Sequence, residues 1–226
     1  MFELNRLYNL DCMEAMREIP DKYFQLAIVD VPYGINEAAS TRYGTQYGHA
    51  KAPCASYSRK AWDKTPPPPE YFQELFRISR NQIIWGANHF ISRIPFDSPC
   101  WIVWDKENGG NDFADCELAW TSFRTAVRIF RFKWHGMLQG DMKHKEIRIH
   151  PTQKPVRLYE WLLTHYAQDG DRIIDTHAGS ASSLIACHRL GFEFLGFEID
   201  AEYFKASQER LAAEMAQISL FALGGG

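Results

Sequence analysis

The sequence predicts an α/β domain built on a mixed, mostly parallel sheet, and three observations carry that expectation. Continuous apolar runs at Leu26-Ala27-Ile28-Val29, Ile83-Ile84-Trp85 and Trp101-Ile102-Val103-Trp104 suit strands buried on both faces. Segments with apolar residues at helical spacing occur among them, as in Tyr71, Leu75, Phe76, Ile78 and in Val156, Leu158, Trp161, Leu162, Tyr166. In the second half, strand Ile173-Ile174, a small-residue loop, a helix over 182–190 closed by Gly191 and a strand over 192–197 form a βαβ unit with a right-handed crossover.

In chain order, the run 26–29 ends at Asp30-Val31-Pro32-Tyr33-Gly34, where proline and glycine break it. Periodicity then vanishes from Gly34 to Pro69, a stretch with Tyr43, Tyr47, Tyr57 and several cations that closes on four prolines. A segment of that length inside a compact domain is expected to be a mobile, functional loop. A helix over 70–79 precedes the runs at 83 and 101. Another spans 154–168, where Asp169-Gly170-Asp171 stops it, and an amphipathic helix over 202–216 leads to a glycine tail at 224–226. No internal repeat is present, so 1–226 reads as a single domain.

At 46% hydrophobic and 23% charged, 226 residues hold enough apolar material for one core, which excludes a predominantly disordered chain. No apolar run nears the roughly 18 residues of a membrane helix, and the N-terminus lacks a basic segment followed by an apolar one. Five scattered cysteines, none in a Cys-x-x-Cys pair, fit neither a disulfide framework nor a zinc site. A soluble, cytoplasmic, metal-free protein without a membrane partner is the expectation. The net charge of -3 hides an inversion: residues 121–149 carry seven Lys and Arg against Asp141 and Glu146, net +5 in an otherwise acidic chain. Such a stretch suits either a polyanion face or an ordinary solvated strand, and within it Arg128, Phe130, Phe132 and Trp134 alternate with Ile129, Arg131 and Lys133 like an exposed strand over 128–134.

Two loops point to chemistry. The small-residue loop Asp175-Thr176-His177-Ala178-Gly179-Ser180 follows one strand, and Glu198, 19 residues after Gly179, ends the next. That is the layout of an adenosine site, with the carboxylate placed to accept from ribose hydroxyls. A single glycine makes no pyrophosphate cradle, so the ligand carries no phosphate; S-adenosylmethionine fits, its positive charges favouring nearby carboxylates such as Asp175 or Asp11. In the other loop, Asp30 offers a carboxylate, Val31 a carbonyl held outward by extended backbone before Pro32, and Tyr33 a flat face. An exocyclic amine on a nucleobase has two hydrogens to donate and a ring to stack.

Four motifs in order, Asp30-Val31-Pro32-Tyr33, His150-Pro151-Thr152-Gln153-Lys154-Pro155, Asp175 to Ser180 and Gly196-Phe197-Glu198-Ile199-Asp200, resemble the β-type DNA amino-methyltransferases. The resemblance spans about Asn9 to Leu211 and implies a Rossmann-like methyltransferase fold. It implies further that Asp30 and the Val31 carbonyl bind the target amine, that Tyr33 stacks on a flipped base, and that Asp11, Thr152, Lys154, Asp175, Gly179, Ser180 and Glu198 bind S-adenosylmethionine. The recognition segment falls at 105–149, where Arg124, Arg128, Arg131 and Lys133 are expected to contact DNA phosphates. Val31 stands where proline is usual, a mild change because only its carbonyl is used; Thr176, His177 and Ala181 stand in place of the usual Pro, Phe and Gly. Asp rather than Ser at the head of the catalytic tetrapeptide favours adenine N6, with cytosine N4 and a catalytically idle nucleic-acid-binding relative as alternatives. Homodimerisation and a cognate restriction nuclease are left open as partners. Pro53-Cys54 and Pro99-Cys100 read as incidental.

Overall fold

A computed structural model of the chain describes residues 1–35, 64–108, 114–135 and 138–223. Most of the 34–69 loop, with Cys54, and the glycine tail lie outside the described residues. Among the described residues, ten strands and five α-helices follow in the order β1 (Arg6–Tyr8), α1 (Cys12–Arg17), β2 (Phe24–Val29), α2 (Pro69–Ile78), β3 (Ser79–Trp85), β4 (Trp101–Asp105), β5 (Cys116–Thr121), β6 (Arg128–Arg131), β7 (Trp134–His135), β8 (Leu138–Gln139), α3 (Val156–Tyr166), β9 (Arg172–Asp175), α4 (Ser182–Leu190), β10 (Glu193–Phe197) and α5 (Ala201–Leu223). Eight strands form one sheet in the order β1-β10-β9-β2-β3-β5-β4-β6, while β7 and β8 pair as a small hairpin.

Every pairing in the large sheet is parallel except those of β5, which runs against β3 and β4. Seven strands therefore present their carboxyl ends to one edge, and β5 presents its amino end there. Both faces of the sheet are covered, which explains the unbroken apolar runs. Along β2 the side chains alternate: Leu26 and Ile28 pack with α3 and α4 through Leu158, Leu162, Leu184 and Ile185, whereas Ala27 and Val29 pack with α1 and α2 through Met16, Tyr71, Phe72 and Leu75. The helices are seated by local signals. Asp11 caps α1 by accepting from the Met13 N–H, Pro69 opens α2, and Gly191 closes α4 in the left-handed conformation.

Several elements depart from the sequence expectation. The final helix continues to Leu223. The strand pattern from Arg128 to Trp134 breaks after Arg131, because the Phe132 carbonyl turns to accept from the Trp104 indole at 3.1 Å. The short β1, α1 and the hairpin strands carry too few residues to show a period, and β5 mixes Glu117 into an apolar run. Among the described residues, no helix is long and apolar enough to cross a membrane.

Candidate active site at the carboxyl edge of the sheet

Two loops meet at this edge because their strands are neighbours. Ala27 of β2 pairs with Ile174 of β9, so Asp30 and Asp175 leave adjacent strands, whose usual spacing is about 4.8 Å. Gly196 of β10 pairs with Asp175, which brings Glu198 to the same edge from the other side.

In the first loop Val31 is buried in the core, and Asp30 is bound through both oxygens. One accepts from the Tyr33 hydroxyl at 2.8 Å, the other from the Lys154 ammonium at 2.6 Å. Lys154 also reaches Glu117, at the amino end of β5, at 2.9 Å, and the Tyr33 hydroxyl at 3.0 Å; Lys106 binds the other Glu117 oxygen. Burial alone would strip the Lys154 proton, but Asp30 and Glu117 outweigh it and hold its pKa above the ordinary lysine value. Burial would likewise raise Glu117, yet Lys154 and Lys106 hold it at about 2. Asp30 is raised, by burial first, with Lys154 pulling against it and Glu117 adding to it. The Tyr33 ring stacks on His89, centroids 5.2 Å apart and planes 15° from parallel, and lies against Gly86.

The second loop is tied down from several directions. Both Glu198 oxygens accept backbone N–H groups, from Gly179 at 3.0 Å and Asp200 at 2.8 Å. Burial nevertheless pushes Glu198 up to about 7. Asp175, buried and accepting from Ser183 and the His177 N–H, is also pushed by burial to about 7. Behind the loop, α5 holds its carbonyls: Ser207 donates to Gly179, and Arg210 to Ser180 at 2.7 Å. Gly179 has φ +51°, and a Cβ there would meet nothing nearer than 3.8 Å, so the backbone is open to a ligand. His150 lies beside it, edge-on to Tyr203 and held neutral at about 3 by burial; its Nδ1 accepts from the Thr152 N–H.

The unusual residues of this loop have local partners. Thr176 hydrogen-bonds Tyr71 of α2 at 2.6 Å and His177 at 3.0 Å, and His177 packs edge-on against the Tyr71 ring, its pKa lowered by burial to about 4. Ala181 sits at φ +59°, a left-handed conformation that costs a non-glycine residue about 1–2 kcal/mol.

The sequence-derived residues thus fall into three groups. Asp30, Tyr33, Asp175, Gly179 and Glu198 line one edge. Asp11 is engaged in capping α1, Ser180 turns to Ser182, and Lys154 turns to Asp30. Arg124, Arg128, Arg131 and Lys133 are all exposed, but only Arg131 and Lys133, at the carboxyl end of β6, share the site's edge; Arg124 and Arg128 lie toward the opposite one. Glu117, Lys106, Tyr71 and Arg210 were not anticipated, since nothing local marks them.

A profile of N6/N4 methyltransferases, described as DNA methylase, matches residues 84–209, more than half of the chain, and the chain belongs to that family. The matched span starts in β3, after the Asp30 loop. The type II methyltransferase M2.DpnII of Streptococcus pneumoniae is 29% identical over 159 residues, 68% of this chain and 50% of that protein. M2.LlaDCHI of Lactococcus lactis subsp. cremoris is 28% identical over 151 residues, 66% of this chain and 48% of that protein. The chain spans about half the length of these curated relatives. Among solved structures, TTHA0409 of Thermus thermophilus complexed with S-adenosyl-L-methionine superimposes with a TM-score of 0.58 at 21% identity, covering 93% of this chain and 95% of that one. The cytosine-N4-specific PvuII DNA methyltransferase gives 0.58 at 12% identity, covering 94% and 91%. At these identities the shared property is the fold, a Rossmann-like methyltransferase sheet.

Gly86 tests the placement of Tyr33. It has φ +70°, and a Cβ on it would stand 2.0 Å from the tyrosine ring. Gly86→Ala should unseat Tyr33 and cost at least about 1–2 kcal/mol in denaturant unfolding; an unchanged midpoint would place the ring elsewhere.

Proposed function

We propose that the chain methylates the exocyclic amine of a base flipped out of DNA, adenine N6, using S-adenosylmethionine. The observation that carries this reading is the meeting of the Asp30 carboxylate with the Asp175 loop and Glu198 on one edge. These residues suit the cofactor chemically: Asp175 for its positive charges, Glu198 for its ribose hydroxyls, open backbone at Gly179, and no phosphate cradle. Glu198 and Asp175 would hold it, with the Asp11 and Thr152 segments at the rim. When bound, the cofactor supplies a methyl group on a cationic sulfur.

The chain's own residues do the rest. An aromatic amine is a poor nucleophile because its lone pair is delocalised into the ring. Asp30 and the Val31 carbonyl, accepting one N–H each, draw the nitrogen toward tetrahedral geometry and aim the lone pair at the neighbouring loop. Positioning of this kind supplies up to roughly 7–11 kcal/mol of a barrier. Flipping the base costs a few kcal/mol, which stacking on Tyr33 partly offsets once His89 gives way. The names of the type II methyltransferase relatives support a DNA substrate, and the leading Asp of the tetrapeptide supports adenine. Because a cytosine-N4-specific enzyme shares the fold equally well, the base is read directly from product.

Nucleoside analysis of DNA treated with the protein and S-adenosylmethionine should show N6-methyladenine; N4-methylcytosine would reassign the base, and unmodified DNA would refute the activity. Asp30→Asn should lower turnover by about a hundredfold or more, by analogy with loss of one preorganised polar contact, while calorimetric cofactor affinity stays near that of the unaltered chain.

Cofactor affinity should depend on pH. Asp175 carries a folded pKa of about 7 and must be ionised to meet a cation, and Glu198, also at about 7, must be ionised to accept from both ribose hydroxyls, so binding below pH 7 has to expel protons. Affinity should fall by up to about tenfold per group per pH unit from 7 toward 5, with proton release seen as a buffer-dependent enthalpy. Constant affinity from pH 5 to 8 would remove these carboxylates from the site.

Arg131 and Lys133 are proposed to touch phosphates beside the site. Neutralising each should flatten the salt dependence of DNA binding by about 0.9 per lost contact, whereas Arg124→Ala should not; equal effects at both ends of β6 would contradict the assignment.

A further inference from the structure

We propose that Lys154 and Glu117 are positioning residues that orient Asp30 and set the charge it presents to the amine. The inference rests on the functional reading above and departs from the expectation that Lys154 binds the cofactor.

Lys154 has no proton left for a cofactor. A lysine ammonium has three donors, and its three partners are Asp30 at 2.6 Å, Glu117 at 2.9 Å and the Tyr33 hydroxyl at 3.0 Å. Its side chain is only 3% exposed, walled by the rings of Tyr33 and Trp85, each 5.5 Å from Nζ. The ammonium can therefore neither swing out to solvent nor exchange partners cheaply.

Asp30 benefits in two ways. Lys154 and Tyr33 take one oxygen each, so the carboxylate plane is held by donors on both sides. Each oxygen keeps a second lone pair for an incoming N–H. An isolated Asp30–Lys154 pair would present little net charge to an amine that becomes cationic as it is methylated. Glu117 shares the ammonium with Asp30, which leaves more of the Asp30 negative charge uncompensated, while Lys106 on the outer Glu117 oxygen brings the four charges to zero. Three separate elements deliver the cluster, namely the β2 loop, the chain leading into α3, and β5. Only the antiparallel course of β5 brings Glu117 to this edge.

The groups facing Asp30 are Lys154 before α3, Glu117 of β5, Tyr33 of its own loop, Tyr159 of α3 and Asp175 of β9. Removing the Glu117 charge should make Asp30 easier to ionise; removing Lys154 as well should make it harder, because the lysine is the closer and stronger influence. The full chain, Glu117→Gln and the doubly substituted Lys154→Met/Glu117→Gln are assayed for methylation of DNA from pH 5 to 9. The double variant removes together the two charges that act most on Asp30. The acid limb of kcat/KM should move by about half a unit or more toward low pH in Glu117→Gln and toward high pH in the double variant. Calorimetric S-adenosylmethionine affinity should stay within about twofold in both, since each ordinary tenfold loss would mean a full ligand interaction gone. Limbs that coincide, or a cofactor affinity weakened tenfold or more, would overturn the inference. Were the unaltered chain inactive on DNA, the functional reading would fall on its own; the same opposite shifts would then be read from the Asp30 carboxyl by NMR, and their absence would refute the positioning role.

Discussion

Charge withdrawn from water in matched sets is the constraint on which this edge of the molecule depends. Asp30, Glu117, Lys154 and Lys106 are each costly to bury, and they persist because every charge touches an opposite one within 3 Å. Breaking such a set strands a buried ion, which typically costs about 3–5 kcal/mol. A cluster of this kind adds little net stability, but it fixes geometry. It holds the Asp30 loop, the segment before α3 and the start of β5 in one arrangement beside the strand that ends at Asp175.

Asp175 and Glu198 form the complementary case. Their oxygens meet hydroxyl and backbone donors, yet among the described residues no opposite charge compensates their burial, and burial lifts both to about 7. A carboxyl raised in the folded state favours folding while protonated, below its ordinary unfolded value, and that contribution is lost as pH rises through the folded pKa. As pH rises through 7 the protein therefore comes to hold two partly desolvated negative charges that ligand contacts would relieve. One part of this edge carries paired charges and the other unpaired carboxyls, which is how a rigid proposed reacting group and a proposed ligand site can share one sheet edge.

What the sequence made legible follows the same division between local and distant contacts. The unbroken run 26–29, the βαβ unit from Arg172 to Phe197 and the helix spacing in α2 and α3 all arise from neighbours a few residues apart or from burial on both sheet faces. The Asp30 and Asp175 loops were legible because each ends such a run. Glu117 was not, since one acid inside an apolar strand has no meaning until that strand's direction is known. Lys154 was readable as a motif residue, but its partners Tyr33, Asp30 and Glu117 lie far away in the chain; Tyr33 is 121 residues distant. The long strand expected over 128–134 failed for a similar reason, as the Trp104 indole claims the Phe132 carbonyl from another strand.

The cofactor loop shows how unfamiliar residues can be accommodated. Tyr71 of α2 supplies a hydroxyl to Thr176 and a ring edge to His177, so the Thr176 hydroxyl and the His177 Nδ1 find their partners within the protein. The strained Ala181 backbone is held by α4 behind it and by Arg210, which binds the Ser180 carbonyl, the Ser182 hydroxyl and Glu146 at 2.7 Å. Glu146 in turn accepts the N–H of Val156 at the start of α3 and belongs to the basic 121–149 stretch. One partly buried ion pair thereby ties the stretch proposed to meet DNA to the loop proposed to hold the cofactor. A change in the seating of that stretch would be felt at Ser180 through two side chains rather than through the length of the sheet.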